Sequence, residues 1–251
     1  MATPIDISEE AGVRYLHFGS EWVQGAMRIA RPWNLELEYT REMMASLLLR
    51  DGGRWPRKVL LIGLGAASLT KFLYRNFPLA HLTVVEIEPA VVAAARQFFK
   101  LPEDPKRVDI VIGDGVEYVL NGDKKFDLML VDGYDENARS GALDTLPFYQ
   151  SCRARLSDTG VMAVNLLTSN RRFDGSITRI AEAFDDRMLA FPSCESGNAI
   201  AFAAEGEPVE ISFFDLRGKA LELNTETGLN LMPTIARLEQ AQSCLGGILK
   251  L

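Results

Sequence analysis

From Lys58 to Ala203 short apolar runs alternate with longer stretches whose apolar positions recur at helical spacing. Val59-Leu60-Leu61-Ile62 is continuously apolar, the pattern of a parallel strand covered on both faces. Leu82–Val85, Val108–Ile112, Phe126–Val131 and Val161–Val164 are mainly apolar and read as the following strands. Helices are predicted between them, near 67–77, 89–99, 116–120, 146–156 and 176–184. Pro89 stands at a first helical position, where its missing N–H costs nothing. Strands alternating with helices predict a doubly wound α/β sheet joined by right-handed crossovers. Two further strands, 188–191 and 199–203, follow with no helix between them. Pro192 to Asn198 then reads as a hairpin turn, which makes the last strand antiparallel.

Residues 1–50 read differently. Val13-Arg14-Tyr15-Leu16-His17-Phe18 alternates as a strand, Gly19-Ser20 turns it, and 22–29 returns as its hairpin partner. Pro32 interrupts the pattern. Glu36 to Leu49 reads as a helix with Leu37, Met44, Leu47 and Leu48 on one face, and Asp51-Gly52-Gly53 ends it. The expected organisation is a short N-terminal hairpin and helix over 1–50, then an α/β domain over 51–251. Beyond Ser212 the pattern is weaker, with a helix expected near 234–243 and Leu229–Leu231 as a candidate interface seed.

The 251 residues suffice for one sizeable core, and 47% hydrophobic with 24% charged positions is ordinary for a soluble protein. The formal net charge of −7 speaks against a nucleic-acid partner and suits a cationic substrate. No signal peptide and no run near the length needed to span a bilayer is seen, so a cytoplasmic protein without membrane contact is expected. Cys152, Cys194 and Cys244 are too few and too scattered for a disulfide framework or a zinc cluster.

The chemistry concentrates at strand ends, where open α/β sheets bind ligands. Gly63-Leu64-Gly65-Ala66-Ala67-Ser68 follows the first parallel strand and enters a helix. Glycines there let the backbone approach a ligand. Ser68 stands where a dinucleotide fingerprint has its third glycine. Glu86, 23 residues after Gly63, ends the next strand and can accept hydrogen bonds from both ribose hydroxyls. Asp114, in Gly113-Asp114-Gly115, follows the third and suits either an adenine amine or a helix N-cap. Glycine loop, Glu, then Gly-Asp-Gly resembles the order in class I folds that bind S-adenosylmethionine. After the fourth strand comes Asp132-Gly133-Tyr134-Asp135. One carboxylate can orient an amine while another takes its proton, which makes the amine a nucleophile.

Residues from about Val13 to Ala203 resemble the polyamine aminopropyltransferase (spermidine synthase) family. The resemblance rests on Val84–Pro89, on Gly113-Asp114-Gly115, on Asp132–Asp135 against that family's Asp-Ser-Ser/Thr-Asp-Pro loop, on Leu146–Tyr149 and on Gly160-Val161. It implies a Rossmann-like sheet of the class I AdoMet-dependent methyltransferase type. It also implies a transferase moving an aminopropyl group from decarboxylated S-adenosylmethionine to a small-molecule amine, with no metal, in a homodimer. Gly63, Gly65, Glu86, Asp114, Gly115 and Gln24 would hold the nucleoside side of the donor. Asp132 would hold donor or amine, Tyr39, Tyr134 and Asp135 the acceptor, and Asp135 would be the base. Ala66 replaces an aspartate of the family's Gly-Gly-Gly-Asp-Gly loop, Tyr39-Thr40-Arg41 stands for its Tyr-His-Glu, and no proline follows Asp135. Two other readings are a methyltransferase using intact S-adenosylmethionine and an inactive nucleotide-binding homologue. Asp132 also fits the first ligand of metal-dependent O-methyltransferases on this fold, but Val164 before Asn165 leaves that ligand set incomplete.

Overall fold

The computed structural model describes residues 4–20, 22–50, 55–135, 137–168, 173–191, 197–240 and 246–251. At the N-terminus β1 (Asp6–Glu10), β2 (Val13–His17) and β3 (Val23–Arg28) form an antiparallel sheet, one strand more than the expected hairpin. The sequence of β1 hides it. Its residues are mostly exposed, so no buried face imprints an alternation on Asp-Ile-Ser-Glu-Glu. In β3 the register slips: Leu16 pairs with Gly25 but His17 with Val23, leaving Gln24 as the extra residue of a bulge. Bulges bend a strand and re-aim a side chain.

The single helix expected over 36–49 is two pieces, α1 (Glu38–Met43) and a 3-10 turn over Met44–Leu48. The whole segment is apolar enough to sink into the core, and α1 lies on the sheet. The alternating region then follows the expected order. It comprises β4 (Lys58–Ile62), α2 (Ser68–Asn76), β5 (His81–Glu86), α3 (Pro89–Phe98), β6 (Val108–Ile112), α4 (Gly115–Asn121), β7 (Phe126–Val131), α5 (Leu146–Ala154), β8 (Leu156–Leu167), α6 (Phe173–Ala183), β9 (Met188–Ala190) and β10 (Asn198–Ala204). These strands form one sheet in the order β6-β5-β4-β7-β8-β10-β9. β4 to β8 pair in parallel, and β10 runs antiparallel between β8 and β9. The antiparallel last strand was expected; most of its turn, 192–196, lies outside the described residues.

Successive residues of each central strand enter opposite apolar layers. Val59, Leu61, Val84, Leu128, Leu130 and Ala163 face one layer; Leu60, Ile62, Val85, Met129, Val131 and Met162 face the other. This double coverage is why the strands read as unbroken apolar runs.

The tail holds more structure than its sequence showed: β11 (Glu210–Ser212), α7 (Phe213–Thr227), α8 (Met232–Gln240) and β12 (Ile248–Lys250), with β11 and β12 paired. The helix expected over 234–243 is α8, whose last expected residues fall outside the described ones. Leu229 and Leu231 are buried in the chain's own core, so they seed no interface. Arg237 of α8 instead ties the tail to Glu38 and the buried Glu42 of α1. Cys152 is buried and free; Cys194 and Cys244 lie outside the described residues. No helix among the described residues is long and apolar enough to cross a membrane.

Among the described residues, one buried amine has no hydrogen-bond partner. Lys71 of α2 is 1% exposed and its Nζ makes no hydrogen bond. Burial, with some repulsion from Lys100, lowers its pKa to about 7. The unfolded group titrates near 10.4. The fold therefore disfavours the charged form, and stability falls as pH drops from about 10 to about 7. Lys71→Met keeps the apolar stem and removes this cost. Thermal melts are expected to show the variant about 4 °C or more above wild type at pH 7, each kcal/mol counting for about 2–4 °C in a domain this size. The gap should narrow toward pH 10; a constant gap would mean that Lys71 is not the titrating group.

Candidate active site

The chain leaves β4 at Gly63 with φ of +94°, a conformation that excludes other residues. Its N–H donates to the carbonyl of Val85 at 2.9 Å, and a Cβ there would strike the carbonyl oxygen of Asp132 at the end of β7. Gly65, with φ of +49°, sits beneath β3, where a Cβ would lie 3.1 Å from the carbonyl oxygen of Gln24. A Cβ on Gly25 would lie 2.6 Å from that of Ala66, and Ser68 Oγ donates to the carbonyl of Ala26 at 3.2 Å. The N-terminal sheet therefore backs directly onto the glycine loop. That sets the main chain of Gln24, a bulge residue distant in sequence, against the loop at Gly65.

Glu86 closes β5 and is 7% exposed. One carboxylate oxygen accepts the Leu64 N–H at 2.9 Å and the other the Glu88 N–H at 2.9 Å. Burial pushes this carboxyl above the usual range, and the N–H groups of Glu88, Leu64 and Ile87 pull it back. Each oxygen has a second lone pair, so Glu86 can hold the loop and still accept two ribose hydroxyls.

Asp114 is the N-cap of α4: its Oδ1 accepts the Val116 N–H at 2.7 Å, which leaves Oδ2 for a ligand. Gly115 is buried because a Cβ would lie 2.5 Å from Cγ2 of Ile62, and Gly133 gives similar room to Leu143. Ile87 and Ile112 beside these acids are 68% and 55% exposed, apolar surface at a strand-end mouth that the sequence reading passed over. The readable signal was an apolar residue within two positions of a strand-end carboxylate, Ile87 after Glu86 and Ile112 before Asp114.

Asp132 emerges from β7 into a set of hydrogen bonds. Its Oδ2 accepts the hydroxyl of Tyr39 at 3.1 Å, and its Oδ1 accepts Nδ2 of Asn165 at 2.8 Å. Desolvation raises its pKa; the bonds from Asn165 and Tyr39 work against that. Tyr134 turns inward, its hydroxyl donating to the main-chain oxygen of Asn165 at 2.6 Å, and burial pushes its phenol far above the usual range. Asp135 is exposed. Its Oδ1 accepts the N–H groups of Asn137 and Arg139 at 2.8 and 2.9 Å and so shapes the loop. The structure thus brings Tyr39, Asp132, Tyr134 and Asn165 together and joins them to Gly63, while Asp135 sits at the rim.

Arg41 does not add charge to this group. Its guanidinium is bound to the carbonyls of Leu35 and Glu36 and to Glu38. Asn165, weighed above as a metal-type position, presents an N–H donor to Asp132. Among the described residues no three His, Cys, Asp or Glu side chains cluster as a metal ion would need.

A family model described as the spermine/spermidine synthase domain matches residues 36–169. The polyamine aminopropyltransferase of Chromobacterium violaceum is 36% identical over 243 residues, 97% of this chain and 92% of that protein. The chain belongs to the spermine/spermidine synthase family. Among solved structures, a probable spermidine synthase from Corynebacterium glutamicum matches with a TM-score of 0.73 at 17% identity, over 90% of this chain and 85% of that one. A spermidine synthase in complex with the transition-state analogue AdoDATO matches at 0.66 and 23%, over 93% and 84%. Both have the fold described here, the class I methyltransferase-like α/β sheet. Ala66 of the glycine loop is 2% exposed, its methyl group set against Gly25.

Proposed function

We propose that the chain transfers an aminopropyl group from decarboxylated S-adenosylmethionine to a small amine. The observation that carries this reading is the half-buried carboxylate of Asp132, held by Tyr39 and Asn165, with its main-chain oxygen packed against the turn at Gly63. It sets a negative charge beside the loop that would carry the nucleoside. Glu86 would take the ribose hydroxyls, Asp114 the adenine amine, and the exposed faces of Ile87 and Ile112 the flat apolar ring.

The amine lone pair attacks the propyl carbon attached to sulfur. That carbon–sulfur bond breaks, its electron pair neutralises the sulfonium, and methylthioadenosine leaves. The attacking nitrogen becomes an ammonium and gives a proton to a carboxylate. Asp132 offsets the positive charge that develops on the attacking nitrogen, and Asp135, whose loop bonds are made by Oδ1, accepts the proton. The electrophile is already activated, so positioning and deprotonation supply most of the catalysis. Membership of the spermine/spermidine synthase family supports the reaction class.

Calorimetry with decarboxylated S-adenosylmethionine, the intact form and methylthioadenosine, paired with chromatographic detection of products from putrescine and spermidine, tests the reading. The decarboxylated donor is expected to bind at least tenfold tighter than the intact one, about 1.4 kcal/mol. Methylthioadenosine should appear with an amine present. Preference for the intact form would sink the aminopropyl reading in favour of methyl transfer.

A further inference from the structure

Asp132 depends on which end of a buried amide it meets. Asn165 lies in β8 and Asn198 begins β10; they are 5% and 7% exposed. In the antiparallel register Asn165 pairs with Ile200 and Asn198 with Leu167, so the two amides are diagonal neighbours on one face of the sheet. Asn198 Nδ2 donates to Asn165 Oδ1 at 2.8 Å. That bond commits the oxygen of Asn165 to Asn198 and leaves its Nδ2 to donate to Asp132 at 2.8 Å. The main-chain oxygen of Asn165 is meanwhile held by the hydroxyl of Tyr134. An amide alone has two orientations that differ by exchange of donor and acceptor. With Asn165 reversed, an oxygen would face the carboxylate.

We propose that Asn198 is a positioning residue for the transfer reaction: through Asn165 it keeps a hydrogen-bond donor on Asp132. Asn198 lies beyond the span matched by the family model and is linked to Asp132 through Asn165. It acts on the reaction only by fixing the orientation of its neighbour. The inference rests on the role assigned to Asp132 above. The titratable groups around Asp132 are Tyr39 on α1 and Tyr134 on its own loop, with Asp144 beyond Tyr134. Asn165 and Asn198, on β8 and β10, do not titrate.

Asn198→Asp reverses the relay with almost no change of shape. A carboxylate at 198 accepts only, so the amide of Asn165 turns to donate to it and offers oxygen to Asp132. Turnover at pH 7 is expected to fall about tenfold, and the acid limb of kcat/KM to move up by about one pH unit, the loss of one charge-assisted hydrogen bond. Methylthioadenosine affinity should stay at the wild-type value. Asn198→Ala releases the amide to both orientations and should move the limb the same way by less, which keeps the test open where the aspartate variant does not fold. The carboxyl resonance of Asp132 in carbon-13 NMR, identified by its loss in Asp132→Asn, should show the same upward movement with no substrate present. A uniform loss of rate with an unmoved limb and an unmoved carboxyl titration overturns the proposal, because simple loss of packing gives that result. If no amine supports turnover, the aminopropyl reading fails while the carboxyl titration still decides the relay.

Discussion

Asp132→Asn is expected to lower kcat/KM for aminopropyl transfer by about a thousandfold while leaving methylthioadenosine binding intact. The substitution is nearly isosteric, and its hydrogen bonds can be kept. The new Oδ1 still accepts from Asn165, and the new Nδ2 can donate to the oxygen of Tyr39. What disappears is a negative charge partly withdrawn from water. A charge in such a place acts on a cationic amine far more strongly than an exposed one. The same reasoning orders the two aspartates. Asp135 is exposed, so water can partly replace it as proton acceptor, and Asp135→Asn should cost about a hundredfold. Thermal stability of Asp132→Asn should remain within a few degrees of wild type, since removing a desolvated charge offsets the altered bonds. Steady-state kinetics and calorimetry on both variants decide the order, and a larger loss at Asp135 would transfer the central role to the rim residue.

Gly63→Ala is expected to break the site through the fold. At φ of +94° an alanine leaves its allowed region, and its Cβ meets the Asp132 carbonyl, a backbone atom that cannot swing away. Strain of about 1–3 kcal/mol adds to the displacement of β7 from β4. A total near 3 kcal/mol corresponds to a fall in melting temperature of roughly 10 °C, with methylthioadenosine binding lost. Gly113→Ala is the control. Its φ is ordinary and nothing lies within 4 Å of a Cβ there, so melting should be unchanged. A stable, nucleoside-binding Gly63→Ala protein would show that the loop relaxes freely and that its contact with Asp132 does not matter.

Much of the fold was legible because burial on both faces writes itself into a strand as an unbroken apolar run. Val59–Ile62 and Leu128–Val131 are such runs, and the structure places them side by side. β1 was not legible, because pairing through backbone hydrogen bonds asks nothing of exposed side chains. α7 was passed over although Phe213, Leu216, Ala220 and Leu223 all bury one face. Gly218 and the charges between them dilute the periodicity that those four residues carry. Gly63, Gly65, Glu86 and Asp114 were legible as a site because their chemistry is local: each follows directly on its own strand. The role of Asn165 was not, since what it does depends on Asn198 and on Asp132, residues 33 positions away on either side of it.

The sequence by itself determined the alternation of strands and helices, the glycine turn with its two following acids, and the paired aspartates after the fourth parallel strand. These are properties of short segments, set by backbone freedom, side-chain period and residue chemistry. Only the tertiary structure decided which aspartate is drawn in from solvent, where Arg41 points, and that β3 lies on the glycine loop with Gln24 in its bulge. Each depends on strands and helices distant in the chain meeting at one sheet edge. Desolvation, which separates the two aspartates, exists only once those elements have closed around one of them.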